Sequence, residues 1–207
     1  MKIGSIIEDK NKEKRISITP EISKKYISSG FEVIIEKGIG DHIGIMDDQF
    51  IKEGCKIESR ESVLKNSDIL LFVNLPHEEN FKYFKEKNIL IGNFNFNNNS
   101  EIINSIKKKS SIFSLDLLPR ITRAQSMDIL SSQANLAGYK AVVDSFAIFK
   151  KAVPMMMTAA GTIPASKVLV VGAGVAGLQA IATAKRMGAI VFATDVRAAS
   201  KEQVESL

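Results

Sequence analysis

The chain has 207 residues, 45% of them hydrophobic and 25% charged, which is the composition of a globular protein with one or two domains. This excludes a disordered chain, a fibrous repeat and a disulfide-bonded scaffold. The net charge is +5. The one dense basic run, residues 107–109, contains no aromatic residues, so we do not expect nucleic-acid binding. No apolar run reaches the roughly 18 residues of a spanning helix, and the N-terminus lacks the pattern of a signal peptide.

Cysteine and histidine are too sparse to indicate a disulfide or a metal site. The single cysteine, Cys55, cannot form an internal disulfide, which fits a reducing cytosol. No histidine or acidic residue is patterned around it, so we interpret it as a small buried residue rather than a nucleophile. His42 and His77 show no zinc-ligand spacing. We therefore expect no bound metal.

The first half of the sequence alternates between short strand-like runs and helix-like segments. Apolar or β-branched runs predict strands at residues 2–7, 31–36, 68–74, 88–92 and 111–115. Capping and turn residues predict helices that begin near residues 19, 47 and 100. Strands separated by helices predict an α/β fold with a parallel sheet. The Asn-rich residues 93–99 are predicted to be a loop with two inward phenylalanines, in preference to the lining of a site.

The composition changes near residue 116, where Lys and Asn become rarer and Ala, Met and Ser more common. Residues 116–127 are predicted to be a loop, and residues 128–151 have helical spacing up to the helix stop at Pro154. The predicted organisation is an N-terminal α/β domain at 1–127, a connecting helix at 128–153 and the start of a second domain at 154–207. Residues 159–164 are predicted to be a turn before the next strand.

A glycine-rich motif follows the predicted strand at residues 167–171. Gly172, Gly174 and Gly177 form the pattern GxGxxG at the start of an alanine-rich helix. In dinucleotide-binding folds the first glycine allows a tight turn, the second lets the pyrophosphate approach the backbone, and the third lets helix and strand pack closely. Val175 and Ala176 lie at the helix N-terminus, which favours phosphate. The motif predicts dinucleotide binding; the alternative is a helix-packing glycine repeat without a ligand.

Asp195 ends the second strand of this motif, 18 residues after Gly177. An acidic residue there binds the ribose hydroxyls of NAD, and its charge repels the 2′-phosphate of NADP, so NAD(H) is the favoured cofactor. Val196 and Arg197 follow it and complete the predicted cofactor-binding set. Arg197 leaves the NADP alternative open, because an arginine near this position can accept the 2′-phosphate.

Four further motifs lie in the second half of the chain: PRITRAQSMDILSSQ at 119–133, NLAGY at 135–139, PMMMTAAGT at 154–162 and ATDVR at 193–197. With these motifs the chain resembles the NAD(H)-binding component of proton-translocating NAD(P) transhydrogenases, most specifically over residues 118–207. The segment RISITP at 15–20 is shared with the related alanine dehydrogenases. The resemblance implies two Rossmann-like domains with parallel sheets that flank a cleft.

The resemblance also implies a site. NADH on the second domain would pass hydride directly, with Re/Si specificity, to NADP⁺ held by a separate component. Arg120, Gln125 and Asp128 are the implied catalytic residues, with Gln125 reaching toward the ribose of NADP⁺. Asp128 and Ser131 would hold the nicotinamide carboxamide, with Ser132 beside them. The alternative is that Arg120 and Asp128 form a structural ion pair while the two serines cap the helix.

Direct hydride transfer explains why no general acid or base is needed, because no substrate proton is released. The protein has only to orient two rings and exclude water. The implied partners are the membrane-embedded and NADP(H)-binding components, and a second copy of the chain in a homodimer. We expect a cytoplasmic protein at the periphery of the inner membrane that does not itself insert.

Two departures from the family define the alternatives. Alanine dehydrogenases place a lysine at the end of the strand matched by residues 68–74 and a histidine after the next strand, where this chain has Phe72 and Asn93. Keto-acid chemistry is therefore disfavoured, although Arg15 is present. The family also continues beyond the last residue of this chain. We therefore expect an incomplete second domain and an inactive chain, and a non-catalytic dinucleotide-binding fragment is the third hypothesis.

Overall fold

The computed structural model describes residues 1–207, which divide into two compact units, Met1–Met127 and Asp128–Leu207. The first unit is built on one parallel six-stranded sheet with the strand order β3-β2-β1-β4-β5-β6. Its strands are β1 (Lys2–Ser5), β2 (Glu32–Glu36), β3 (Lys56–Glu58), β4 (Ile69–Asn74), β5 (Ile89–Asn93) and β6 (Ser111–Ser114). The strand order reverses between β1 and β4, which is the switch point where α/β sheets open a crevice.

α-Helices lie in four of the five connections between these strands, as the alternating pattern predicted, and a 3₁₀ segment, Glu78–Tyr83, lies between β4 and β5. The α-helices are α1 (Pro20–Ser28), α2 (Asp47–Lys52), α3 (Arg60–Asn66) and α4 (Phe96–Ile106). The first begins where the sequence predicted, because the side chain of Thr19 accepts a hydrogen bond from the Ile22 N–H and Pro20 occupies the first turn. The predicted α/β fold with a parallel sheet is confirmed.

The first unit has a separate hydrophobic core on each face of its sheet. Ile34 packs in one cluster with Leu70, Leu90 and Phe94, whereas its neighbour Val33 packs in the other. The reason is the pleat of β2, which points successive side chains to opposite faces. Cys55 is buried in the second cluster, and burial raises the pKa of its thiol. The interpretation of Cys55 as a buried residue is confirmed.

Some element boundaries differ from the prediction. Strand β1 ends at Ser5 rather than at residue 7, and both β3 and α3 were missed. The three residues of β3 include two charged ones, so they carry no apolar run. Helix α4 begins at Phe96, so the loop predicted at 93–99 is wrong for its last four residues. Its two phenylalanines do pack against the core, as predicted.

The second unit contains a long helix, a small hairpin and two parallel strands. In chain order the elements are α5 (Ile129–Ile148), β7 (Met156–Thr158), β8 (Gly161–Ile163), β9 (Lys167–Val171), α6 (Val175–Arg186), β10 (Ile190–Thr194) and α7 (Ser200–Glu205). Strands β9 and β10 pair in parallel, with Lys167 opposite Ile190. Helix α5 packs against α6, and their shared core is made by small and β-branched residues: Val142, Val153, Ala180, Ala184 and Ala189.

Two predictions in this unit needed correction. The turn predicted at 159–164 is an antiparallel hairpin in which Gly161–Ile163 is a strand opposite Met156–Thr158. The signal was weak because each strand has only three residues. Helix α5 ends at Ile148 instead of residue 151. No helix of the chain has the length and apolar character that crossing a membrane requires.

Candidate functional site

The glycine-rich loop joins the end of β9 to the start of α6, as expected for a dinucleotide-binding turn. Gly172 has φ 95°, a left-handed conformation that favours glycine. Gly174 is the N-cap of α6 and carries no capping side chain. A Cβ atom added to Gly174 would meet no heavy atom within 4 Å, so no contact within this chain requires glycine there. The loop therefore presents bare backbone at the helix end.

Gly177 lies on the first turn of α6 and has a different reason to be glycine. A Cβ atom there would lie 1.8 Å from the carbonyl oxygen of Gly172 and 3.8 Å from a methyl group of Val170. The first of these distances is far below any possible contact between heavy atoms. Gly177 therefore lets the helix approach both the loop and strand β9.

The start of α6 offers backbone donors. The N–H of Leu178 donates to the carbonyl of Gly174 at 2.8 Å, so the N–H groups of Val175, Ala176 and Gly177 precede the first intrahelical bond. Together with the helix dipole, N–H groups in this position stabilise phosphate. The arrangement is the one that a pyrophosphate would need.

Asp195 lies beside the glycine loop, at the end of β10. Its Oδ2 accepts the Ala173 N–H at 2.7 Å, and its Oδ1 accepts the Arg197 N–H at 2.8 Å. The guanidinium of Arg197 also donates to both oxygens, Nε to Oδ1 at 3.0 Å and Nη2 to Oδ2 at 3.1 Å. The Arg197 guanidinium and these two N–H groups hold the pKa of Asp195 well below its usual range. The carboxylate is thus a fixed negative charge next to the loop.

The remaining residue of this group, Val196, is fully exposed. The structure thus brings the glycine loop, the helix start and Asp195 together within the second unit, through the bond from Ala173. Arg197 stands next to them, paired with the acid. The glycine loop and the residues that follow the second strand are therefore linked directly by hydrogen bonds.

Asp128 is the N-cap of α5. Its Oδ1 accepts the N–H groups of Leu130 at 2.9 Å and Ser131 at 3.1 Å, and its Oδ2 accepts the Ser131 hydroxyl at 2.7 Å. Ser132 donates its hydroxyl to the carbonyl of Ile129 at 3.0 Å. The cap of this helix is therefore Asp128 itself and not the two serines, to which the sequence alternative assigned that role. It does not exclude ligand binding, because the hydroxyl oxygen of Ser131 can still accept a hydrogen bond.

Arg120 and Gln125 belong to the first unit. Both side chains are exposed, and Gln125 lies in a short 3₁₀ segment, Thr122–Met127. The neighbouring Ala124 is buried and anchors that segment. The sequence predicted this region to be a loop, and it contains neither an α-helix nor a β-strand.

A cavity of about 780 Å³ lies within the first unit. It is lined by residues that follow β1, β4 and β5, and so it opens at the switch point of the sheet. Its polar lining includes Glu8, Glu13, Asn74 and Asn93. Neither glutamate was predicted from the sequence as a site residue. The signal that could have indicated Glu8 is its position, as an acidic residue just after the first strand of a parallel sheet.

Hydrogen bonds to the strand ends organise this cavity. Glu8 accepts the Val73 N–H at 2.7 Å, and burial raises the pKa of its carboxyl. Glu13 accepts the Arg15 Nε at 2.8 Å and Nη2 at 2.7 Å, and the Asn74 Nδ2 at 2.9 Å. These contacts, that of the Arg15 side chain above all, lower the pKa of Glu13 to about 2. Arg15 is therefore held by an acidic residue beside the cavity.

The strand ends also correct one sequence assignment. Strand β4 ends at Asn74, so Phe72 is not its terminal residue. Phe72 is only 5% exposed and packs in the core near Phe84 and Phe94. The next strand ends at Asn93. Neither strand end carries a lysine or histidine, and no group of His, Cys, Asp and Glu side chains could hold a metal ion.

Comparison with known proteins places this architecture in a family. The family model for the alanine dehydrogenase/PNT N-terminal domain matches residues 4–137, and the model for the C-terminal domain of the same family matches residues 141–207. The chain belongs to the alanine dehydrogenase/PNT family. Membership confirms the resemblance on which the sequence interpretation depended.

Within this family the chain is more similar to transhydrogenases than to alanine dehydrogenases. It is 49% identical over its whole length to the first part of NAD(P) transhydrogenase subunit alpha of Rhodospirillum rubrum, and it spans 56% of that protein. The crystal structure of transhydrogenase from Sinorhizobium meliloti matches it with a TM-score of 0.94 at 45% identity, over 100% of this chain and 62% of the other. Alanine dehydrogenase 1 of Staphylococcus aureus is 32% identical over 52% of this chain and 29% of its own length.

Proposed function

We propose that the chain is the NAD(H)-binding part of the alpha subunit of a proton-translocating transhydrogenase, with Re/Si specificity. The observation that carries the binding role is the bare glycine loop held against Asp195 by the Ala173 N–H. The loop and the start of α6 would take the pyrophosphate, and the carboxylate of Asp195 would take the adenosine ribose. The whole-chain similarity to transhydrogenases supports this choice within the family.

The proposed reaction is hydride transfer from NADH to NADP⁺ held by a partner component. Bound NADH supplies the hydride. This chain's residues would hold and orient it: Asp128 and Ser131 at the carboxamide, Arg120 near the ring, and Gln125 toward the second cofactor. In the proposal the chain alone binds NADH without turnover, because the acceptor lies on the partner. The other proposed partners are the membrane component and a second copy of the chain, at the cytoplasmic side of the inner membrane.

The ends of β4 and β5 argue against the alanine dehydrogenase alternative. Asn74 and Asn93 line the cavity of the first unit, and an amide can neither polarise a carbonyl as a cation does nor exchange a proton near neutral pH. The proposal therefore predicts that the protein does not oxidise L-alanine with NAD. Turnover of L-alanine would contradict it.

The Gly174→Ala variant tests the binding role directly. Gly174 has φ −77° and open space around its Cβ position, so the variant should fold with wild-type thermal stability. Its methyl group would stand where the pyrophosphate must approach, so NADH affinity, measured by fluorescence titration, should fall about tenfold or more. Wild-type affinity in a folded Gly174→Ala protein would overturn the assignment of this loop.

A further inference from the structure

The hydrogen bonds that Asp195 accepts leave no acceptor position for the hydroxyl groups of a ribose. A carboxylate has about four acceptor positions on its two oxygens. In this structure the backbone N–H groups of Ala173 and Arg197 take two of them, and the side chain of Arg197 takes the other two. A ribose diol brings two further O–H donors. Two of the four existing donors must therefore leave before Asp195 can accept the diol.

The four donors differ in how easily they can leave. Both backbone N–H groups are fixed by the chain, and Ala173 is buried at 1% exposure. The side chain of Arg197 is 59% exposed, whereas that of Asp195 is 10% exposed. Because the guanidinium is largely exposed, water and salt screen its ion pair and can solvate the arginine once it is released. The Arg197 side chain is therefore the donor that a ligand can displace.

We propose that the side chain of Arg197 occupies the ribose-binding positions of Asp195 in the unliganded protein and is displaced by the ribose diol of NADH. This inference rests on the proposed NAD(H) function and assigns Arg197 a role in specificity. While Asp195 is present, the arginine competes with NADH for the carboxylate. The same ion pair neutralises its charge, so it does not bind the 2′-phosphate of NADPH. If Asp195 is removed, the guanidinium is released beside the position of the 2′ oxygen, where it suits a phosphate.

Arginine replacement tests the competition. Arg197→Ala should bind NADH about two- to fivefold more tightly than wild type, the range expected for removing one exposed ion pair. Arg186→Ala is the control, since it removes the same charge from an exposed position in the last turn of α6 and should leave NADH affinity unchanged. Weaker NADH binding by Arg197→Ala alone would mean that Arg197 supports the cofactor, which overturns the inference.

Replacing the acid tests the specificity role. Asp195→Ser should gain about tenfold or more in NADPH affinity, because a released arginine can form charge-assisted bonds to the 2′-phosphate. The double variant Asp195→Ser/Arg197→Ala should lose that gain. An Asp195→Ser protein without any gain, or a double variant that keeps it, would overturn the inference. Binding of both cofactors can be measured by isothermal titration calorimetry on the full 207-residue chain.

A direct readout separates this inference from the proposed function. In ¹H–¹⁵N spectra, the Nε–H resonance of Arg197 should move from its ion-paired position to that of a solvated arginine as ADP-ribose saturates the protein. An unmoved Arg197 resonance with ADP-ribose bound overturns the displacement while the proposed function stands. A folded wild-type chain that binds neither ADP-ribose nor NADH overturns both.

Discussion

Gly138 in the middle of α5 faces the carbonyl oxygen of Ala176 so closely that a Cβ atom on Gly138 would lie 2.1 Å from it. Gly138 is buried, and Ala176 belongs to the GxGxxG motif. Glycine lowers helix stability by about 1 kcal/mol relative to alanine in an exposed helix. Here that preference is reversed, because only glycine lets α5 approach the first turn of the proposed nucleotide-binding helix.

Gly138→Ala should therefore destabilise the protein by about 1–3 kcal/mol, the usual effect of adding a methyl group where there is no space. Urea denaturation followed by circular dichroism measures this change. Asn135→Ala is a matched control on the same helix, because residue 135 is exposed and alanine is the better helix former. Stabilisation by Gly138→Ala would show that the two helices can separate without loss.

Gly177→Ala should also destabilise the protein by about 1–3 kcal/mol, because its methyl group would overlap the carbonyl oxygen of Gly172. Thermal unfolding of Gly177→Ala and Gly174→Ala, both without cofactor, compares the two glycines. Only Gly177→Ala should melt at a lower temperature. Equal melting temperatures for the two variants would contradict the steric role given to Gly177.

Substitutions of Asp128 can separate helix capping from cofactor binding. Serine caps helices nearly as well as aspartate, so Asp128→Ser should retain stability, whereas Asp128→Ala should lose about 1 kcal/mol. In the proposed function both variants weaken NADH binding, because each removes the carboxylate. If Asp128→Ser binds NADH as well as wild type does, the carboxylate serves only the helix.

The carboxylate of Glu13 should make stability depend on acidic pH. Its pKa is lowered from 4.5 to about 2 in the folded protein, so the charged form stabilises the fold. This contribution is complete above the unfolded pKa of 4.5, declines as the pH falls below it, and is lost below about 2. Glu13→Gln should cost about 1 kcal/mol at pH 7 and less at pH 3, measured by urea denaturation.

A suitable control for Glu13 is Glu61, whose ion pair with Lys65 is about half exposed on both sides. Glu61→Gln should change stability by less than about 0.5 kcal/mol at either pH. A Glu13→Gln protein that behaves like this control would show that the contacts to Arg15 and Asn74 contribute nothing to stability.

Gln125→Asn tests the proposed position of residue 125 between two cofactors. Gln125 is exposed on its 3₁₀ segment, so shortening it should not disturb folding. In the complete enzyme, the maximal rate of transhydrogenation should fall about tenfold or more, because small errors in ring placement are costly. NADH affinity should change little. A large loss of affinity at a normal maximal rate would remove Gln125 from this position.

The strongly patterned regions of the chain were predictable from the sequence. The apolar runs at β4 and β9 and the cap at Thr19 placed their elements to within a few residues. The three-residue strands β3, β7 and β8 were not predictable as strands, because so short a run carries no periodicity. The ion pair between Asp195 and Arg197 could not be foreseen either, since the sequence shows only that the two residues are close, and the same spacing suits a phosphate receptor.

The close contact at Gly138 also could not be predicted from the sequence, because a glycine inside a helical pattern normally indicates a less stable helix rather than a tight interface between helices. Phe72 illustrates a different limit. The sequence matched Phe72 to the residue at the end of a strand. The strand in fact ends at Asn74, because that is where the hydrogen bonds of β4 to its neighbours stop. Register and long-range approach are properties of the folded chain.

Gly174 and Gly177, the two later glycines of the loop, are under different selective pressures. Gly177 is required by the protein's own backbone, whereas no atom of the chain requires glycine at position 174, and in the proposed function only the cofactor does. In a lineage that has lost the cofactor but kept the fold, drift should therefore fill position 174 with larger residues while position 177 stays glycine. The loop would then record the loss of its ligand in a single position.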